Sequence, residues 1–104
     1  MLRGEIRWYQ FNRPDKRRPV LILTRSSILE YLGEVTVAPV TSTIRDIPSE
    51  VILSGDDGMK KECAINLDHI QTVSQNRVGS LMATLLPSKW KEVERALLFA
   101  LGFR

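Results

Sequence analysis

The sequence predicts a mainly-β chain: a small antiparallel β-barrel capped by a C-terminal helix. Three observations carry that prediction. Short stretches of alternating or β-branched apolar residues recur between Leu2 and Met82. The stretches between them are turn-forming, and from Ser88 the apolar period changes to three and four residues. With 104 residues, 43% of them hydrophobic and 26% charged, one core and a single domain over residues 1–104 are expected.

Taken in order, Leu2 to Phe11 alternates, with Leu2, Ile6 and Trp8 on one side and Arg3, Glu5, Arg7 and Tyr9 on the other. That is a half-buried strand with Trp8 directed to the core. Asn12-Arg13-Pro14-Asp15 is loop chemistry, since Pro14 disfavours a helical Arg13. Val20 to Leu23 is a continuous apolar run, as in a strand covered on both faces. Ser26 to Tyr31 can make a turn or two of helix ending at Gly33. Glu34 to Val40 is a further strand, and Pro39 near its end implies an edge position or a bulge.

Thr41 to Pro48 reads as a polar loop. Glu50 to Leu53 and Glu62 to Ile65 flank Ser54-Gly55-Asp56-Asp57-Gly58, a hairpin connection. Leu67 to Val73 and Val78 to Met82 complete the strands. Trp90, Val93, Leu97 and Leu101 then define one face of a helix, with Pro87 and Ser88 at its start and Gly102 at its end. Trp8, Trp90 and Phe99 are expected to pack in the core, and a dimer interface would add to what so short a chain can bury.

Composition removes several classes of function. One cysteine, Cys63, and one histidine, His69, exclude an intramolecular disulfide and a Cys- or multi-His-ligated metal centre. No apolar stretch nears the roughly 18 residues of a membrane span, and Met-Leu-Arg-Gly-Glu opens no secretory signal, so a cytoplasmic location is expected. Charge is uneven. The first 25 residues hold seven bases against two acids, a net +5, which leaves −2 for the rest of a chain of net +3. A basic end on a near-neutral body points to a local anion-binding face.

Arg17-Arg18-Pro19-Val20-Leu21-Ile22-Leu23 holds the most informative candidate. Pro19 fixes the strand entrance and therefore Arg18 beside it. Arg18 either offers a permanently charged fork to a phosphate or pairs on the rim with a carboxylate such as Glu5. Thr41-Ser42-Thr43 follows a strand, where hydroxyls donate to an anion or satisfy loop backbone. His69, beside Asp68, is either a general base or a hydrogen-bonded surface residue. Cys63 is read as a small core residue, and Tyr9, Phe11 and Trp8 as rings able to stack on exposed bases, although Trp8 sits with Leu2 and Ile6 and so reads first as core.

Several of these segments together resemble the MazF/PemK toxins of bacterial toxin–antitoxin modules. Arg3-Gly4-Glu5-Ile6-x-Trp8 is similar to the family's opening strand, Arg18-Pro19-Val20-Leu21-Ile22-Leu23 to its Arg-Pro-Val strand, and Val37-Ala38-Pro39-Val40-Thr41-Ser42 to its Val-x-Pro-x-Thr-Ser element. Asn66 to Val73 and the helix from Lys89 to Leu101 follow in the family's order. The resemblance implies an SH3-like barrel homodimer. The implied activity is metal-independent and cofactor-free: an endoribonuclease that cuts single-stranded RNA at short sequences. It implies Arg18 and Thr41 as the catalytic pair, with Arg13, Lys16, Arg17, Thr43, Arg45, Pro48 and His69 along the RNA. The RNA's own 2′-hydroxyl would attack phosphorus, leaving a 2′,3′-cyclic phosphate and a 5′-hydroxyl. A cognate antitoxin with an acidic C-terminal tail is the implied partner.

The chain departs from the family in one loop. Many members carry a longer Gly-Ser-Glu stretch before the arginine, whereas Asn12 to Arg17 offers only Asp15. The general base therefore stays open among Asp15, His69 and solvent. Two non-catalytic readings of the same barrel stand beside the nuclease: a CcdB-like toxin that binds DNA gyrase through its terminal helix near Phe103 and Arg104, and a basic SH3-like RNA-binding module.

Overall fold

Strand formation follows the apolar pattern closely. The computed structural model describes residues 1–12 and 16–104. Among them the strands are β1 (Glu5–Gln10), β2 (Arg17–Ile22), β3 (Glu34–Thr41), β4 (Glu50–Leu53), β5 (Cys63–Asn66), β6 (Gln71–Ser74) and β7 (Val78–Thr84). The helices are α1 (Ser26–Leu29) and α2 (Trp90–Ala100). All neighbouring strands pair antiparallel, in the order β4-β5-β3-β2-β1-β7, with β6 also beside β3. The edges β4 and β7 do not pair, so the barrel is open in its hydrogen bonding.

The long strand β3 has two partners in succession: β6 through Val37↔Gln71, then β5 from Val40↔Ile65. Pro39 falls between them. It thus occupies a central strand and not an edge, at the hand-over where a missing N–H costs no ladder bond on that side. His69 also differs from expectation. Asn66 Oδ1 accepts the Asp68 amide at 2.9 Å and turns residues Leu67–His69 into a 3-10 helix, which shortens the expected strand to β6.

Apolar side chains lie on both faces of the sheet. Ile6, Leu21, Leu53, Ile65 and Leu67 fill the inside of the curl together with Val93 and Ala96 of α2. On the outside, Tyr9, Val20, Ile22, Val35 and Val37 are covered by Leu29 of α1. Tyr9 is therefore core, although its neighbours in the alternation are charged, because a covering helix makes the outer face apolar too. Trp8 shares the inner face with Ile6 but sits at the open mouth and stays partly exposed. Phe99 lies off the buried stripe of α2 and is 47% exposed, which corrects its assignment to the core.

Gly4 docks α2 against the sheet. Its φ of +94° favours glycine, and a Cβ there would stand 3.1 Å from Trp90 Cζ2. Helix α2 ends as its sequence predicts. Gly102 at φ +83° lets its own N–H reach Phe99 O at 3.1 Å and the Phe103 N–H reach Leu98 O at 2.8 Å.

Glu5, at the start of β1, accepts Arg7 Nε and the Leu2 amide, both at 2.9 Å. Burial alone would raise its carboxyl, but these bonds outweigh burial and hold the pKa below its ordinary 4.5. A lowered folded pKa stabilises above the unfolded value and is lost as pH falls through the folded one. Glu5→Gln should therefore lower stability at neutral pH, with the deficit shrinking as pH falls below 4.5, as read from urea unfolding across that range.

Candidate active site

Two prolines open the site. The β2–β3 ladder runs Ile22↔Val37, Leu21↔Ala38, Val20↔Pro39 and stops there. Pro19, the next residue of β2, has no N–H to donate to a further rung, and the ladder ends there. Arg18 of β2 and Thr41 of β3 lie just beyond the last pair of this ladder. On its other side Arg18 pairs with Tyr9 of β1. Glu5 lies four residues back along that strand, roughly 13 Å away at ordinary strand rise, and is held by Arg7.

Arg18 and Thr41 line two adjoining cavities. The first, about 390 Å³, is also walled by Phe11, Pro39, Thr43, Arg45, Glu50, Asn66, His69 and Gln71. The second, about 270 Å³, adds Trp8, Lys16, Arg17, Met59, Lys60, Lys61 and Cys63 among others. The pair thus stands where the two cavities meet.

Hydrogen bonds prepare the first cavity. Thr41 Oγ1 accepts the Thr43 amide at 3.1 Å, which leaves the hydroxyl proton to be donated outward. Glu50 Oε1 accepts the amides of Arg45 and Asp46 at 3.0 and 3.1 Å and so shapes the loop that carries Arg45. Asp46 within that loop holds φ +56°. Among the described residues, Glu50 Oε2 is buried without a hydrogen-bond partner. Phe11 is braced edge-on by Tyr9, with ring centroids 4.8 Å apart.

His69 is oriented from behind. Because Asn66 Oδ1 takes the Asp68 N–H, its Nδ2 must face His69 Nδ1, 3.3 Å away. Nδ2 can only donate, so Nδ1 is the acceptor and the neutral ring carries its proton on Nε2. In this state His69 presents a donor at Nε2, and proton abstraction falls to another group. Behind it, Ser49 Oγ donates to Asp68 Oδ2 at 2.5 Å and anchors the turn.

In the second cavity, the Arg17 guanidinium stacks 4.3 Å from the centre of the Trp8 ring. Cys63 is buried, and burial pushes its thiol up, with Asp57 and Glu62 adding to the rise. A protonated, enclosed thiol is packing material and not a nucleophile. Among the described residues no three of His, Cys, Asp and Glu come together as a metal-ligand group.

The structure thus gathers Arg18, Thr41, Thr43, Arg45 and His69 in one cavity, with Lys16 and Arg17 in its neighbour. Pro48 is exposed and lines neither. Arg13 and Asp15 lie outside the described residues. Sequence reasoning did not single out Glu50, Asn66, Gln71, Lys60 or Lys61. Asn66 and Gln71 bound the stretch around His69, and their facing is decided by the 3-10 helix; the lysines are masked by Asp56, Asp57 and Glu62 in any local charge tally.

An arginine fork and a hydroxyl that line the same two cavities of an open barrel have the chemistry of the class of proteins that bind a phosphodiester. The family of the PemK-like, MazF-like toxins of type II toxin–antitoxin systems matches residues 2–101, and the chain belongs to it. It is 39% identical over 88 residues to endoribonuclease MazF3 of Mycobacterium tuberculosis, covering 85% of this chain and 82% of that one. The fold matches the M. tuberculosis toxin MazF-mt6 with a TM-score of 0.89, 33% identity and coverage of 96% and 98%. A MazE-MazF crystal structure from Deinococcus radiodurans is similar at a TM-score of 0.83, 25% identity and coverage of 100% and 98%.

Proposed function

We propose that this chain is the toxin of a toxin–antitoxin module and a metal-independent endoribonuclease acting on single-stranded RNA in the cytoplasm, with Arg18 and Thr41 as its catalytic residues. One observation carries the reading: Arg18 and Thr41 share the walls of both cavities, on facing strands whose ladder ends just short of them. Relatives named as endoribonucleases favour cleavage over the gyrase-binding and simple RNA-binding readings.

The reaction asks little covalent chemistry of the protein. The RNA 2′-oxygen bonds to phosphorus, the bond to the 5′-oxygen breaks, and the 2′-proton leaves to a base while the 5′-oxygen gains one. Arg18 offsets the charge that accumulates on the phosphorane, and the outward Thr41 hydroxyl holds a non-bridging oxygen. Asp15 or solvent takes the proton, in keeping with the Nε2–H tautomer of His69. That same donor faces an acceptor on the RNA, in line with Thr43 and Arg45 around it.

No helix among the described residues is long and apolar enough to cross a membrane. The exposed Leu2, Leu101 and Phe103 supply apolar surface for a homodimer. The antitoxin reading draws on the MazE-MazF relative and on the basic residues around the crevice, which suit an acidic segment.

The test is digestion of a long single-stranded RNA by the purified chain in EDTA, with ends mapped by primer extension. Cleavage should persist and leave 2′,3′-cyclic phosphate and 5′-hydroxyl ends. A single 2′-deoxynucleotide on the 5′ side of a mapped cut should abolish cutting there. Loss of activity in EDTA, or cutting at the deoxy position, overturns the mechanism.

A further inference from the structure

We propose that the second cavity is a track for the RNA strand on one side of the scissile phosphate, gripped by Lys60 and Lys61 and floored by Trp8, while the first cavity reads bases on the other side. The proposal rests on the nuclease reading above and adds residues and a division of labour to it. Arg18 and Thr41 belong to the walls of both cavities, so a strand whose phosphate sits between them has a cavity on either side to occupy.

The two walls differ in chemistry. Beside Arg18, Arg45, Glu50 and Phe11, the first presents amides, hydroxyls and an imidazole donor, groups that distinguish one base edge from another. The second, among the described residues, is lined by five cations and no acid, around Trp8, Met59 and Met82. Cations on an apolar and aromatic floor hold phosphates and stacked bases of any sequence. Specificity is therefore built on one flank and affinity on the other.

Lys60 and Lys61 are held in place for this task by their loop. The Asp57 carboxylate accepts the Ser54 amide at 2.9 Å, and the Met59 amide returns to Ser54 O at 3.2 Å. Met59 is buried, so the lysines emerge from an anchored turn. Among the described residues neither lysine has a carboxylate ion-pair partner, and both are exposed. Arg17 already lies over Trp8, which places cationic charge beside that ring.

The test compares the full chain with Lys60→Ala/Lys61→Ala and with a control, Lys91→Ala/Arg95→Ala on α2, that removes equal net charge elsewhere. The first double variant should raise KM about tenfold on every cleavable sequence and leave kcat and the cut-site profile unchanged. It should also reduce the slope of log affinity against log salt by about 0.7 for each phosphate the lysines no longer neutralise. The control should match wild type. An unchanged KM and salt slope, an altered cut-site profile, an equal effect in the control, or an effect confined to an acidic antitoxin peptide overturns the proposal. Binding to an uncleavable 2′-O-methyl RNA separates the two readings. Lysine-dependent binding without cleavage of ordinary RNA sinks the nuclease and keeps the track; cleavage with lysine-independent binding does the reverse.

Discussion

Replacing Arg18 with alanine is expected to reduce RNA cleavage at least about 10³-fold while leaving the fold intact. A single preorganised donor to a developing oxyanion is worth about 10²–10³ in rate, and an arginine on a transferring phosphoryl group about 10³–10⁵. Arg18 combines both roles at the junction of the two cavities. It is only partly buried, and the inner and outer cores begin beyond it at Val20 and Leu21, so little packing is lost. Arg18→Lys should recover part of the binding but little of the rate, since an ammonium keeps the charge and loses the planar fork. Single-turnover cleavage with circular dichroism as the fold control decides it. Retention of more than about a tenth of wild-type activity in Arg18→Ala is inconsistent with transition-state stabilisation of this size.

Thr41→Val is expected to be the next most damaging change, at about 10²-fold in kcat with little change in stability. Valine keeps the β-branched shape that suits the end of β3 but removes both the donated proton and the acceptor of the Thr43 amide. Thr41→Ser restores both bonds and should recover most of the activity, which separates the hydroxyl's chemistry from shape. Expression of the wild-type chain should arrest growth, and Thr41→Val should relieve that arrest in proportion to its loss of cleavage. Full toxicity from an uncleaving Thr41→Val chain would instead place toxicity in another surface, as the gyrase-binding reading requires.

Legibility varied with the kind of interaction. Elements with strong local patterns were readable: the strand expected over Val20 to Leu23 and found at Arg17–Ile22, the hairpin expected to join Glu50–Leu53 to Glu62–Ile65 and found with its second arm at Cys63–Asn66, and the helix ended by Gly102. Trp8, Tyr9 and Phe99 were not, because alternation says which residues share a face and not whether that face is covered. Helix α1 buries the outer face of β1 under Leu29, and the open mouth leaves Trp8 to line a cavity. The proline pair was visible in the residues, but its consequence depends on Val20 standing opposite Pro39, a pairing between strands 19 residues apart in number.

Local chemistry written in the chain thus determined the class of fold and left a single cysteine, too few for a thiolate metal set, while the resemblance to a known family singled out Arg18 and Thr41 as worth testing. Tertiary structure alone decided that these two line the same cavities, that Asn66 sets the His69 tautomer, and that Lys60 and Lys61 share a wall with Trp8. The reason is physical. Propensity, proline geometry and charge act within a few residues of chain, whereas a site is a distance between segments, fixed by strand register and by which faces the helices cover.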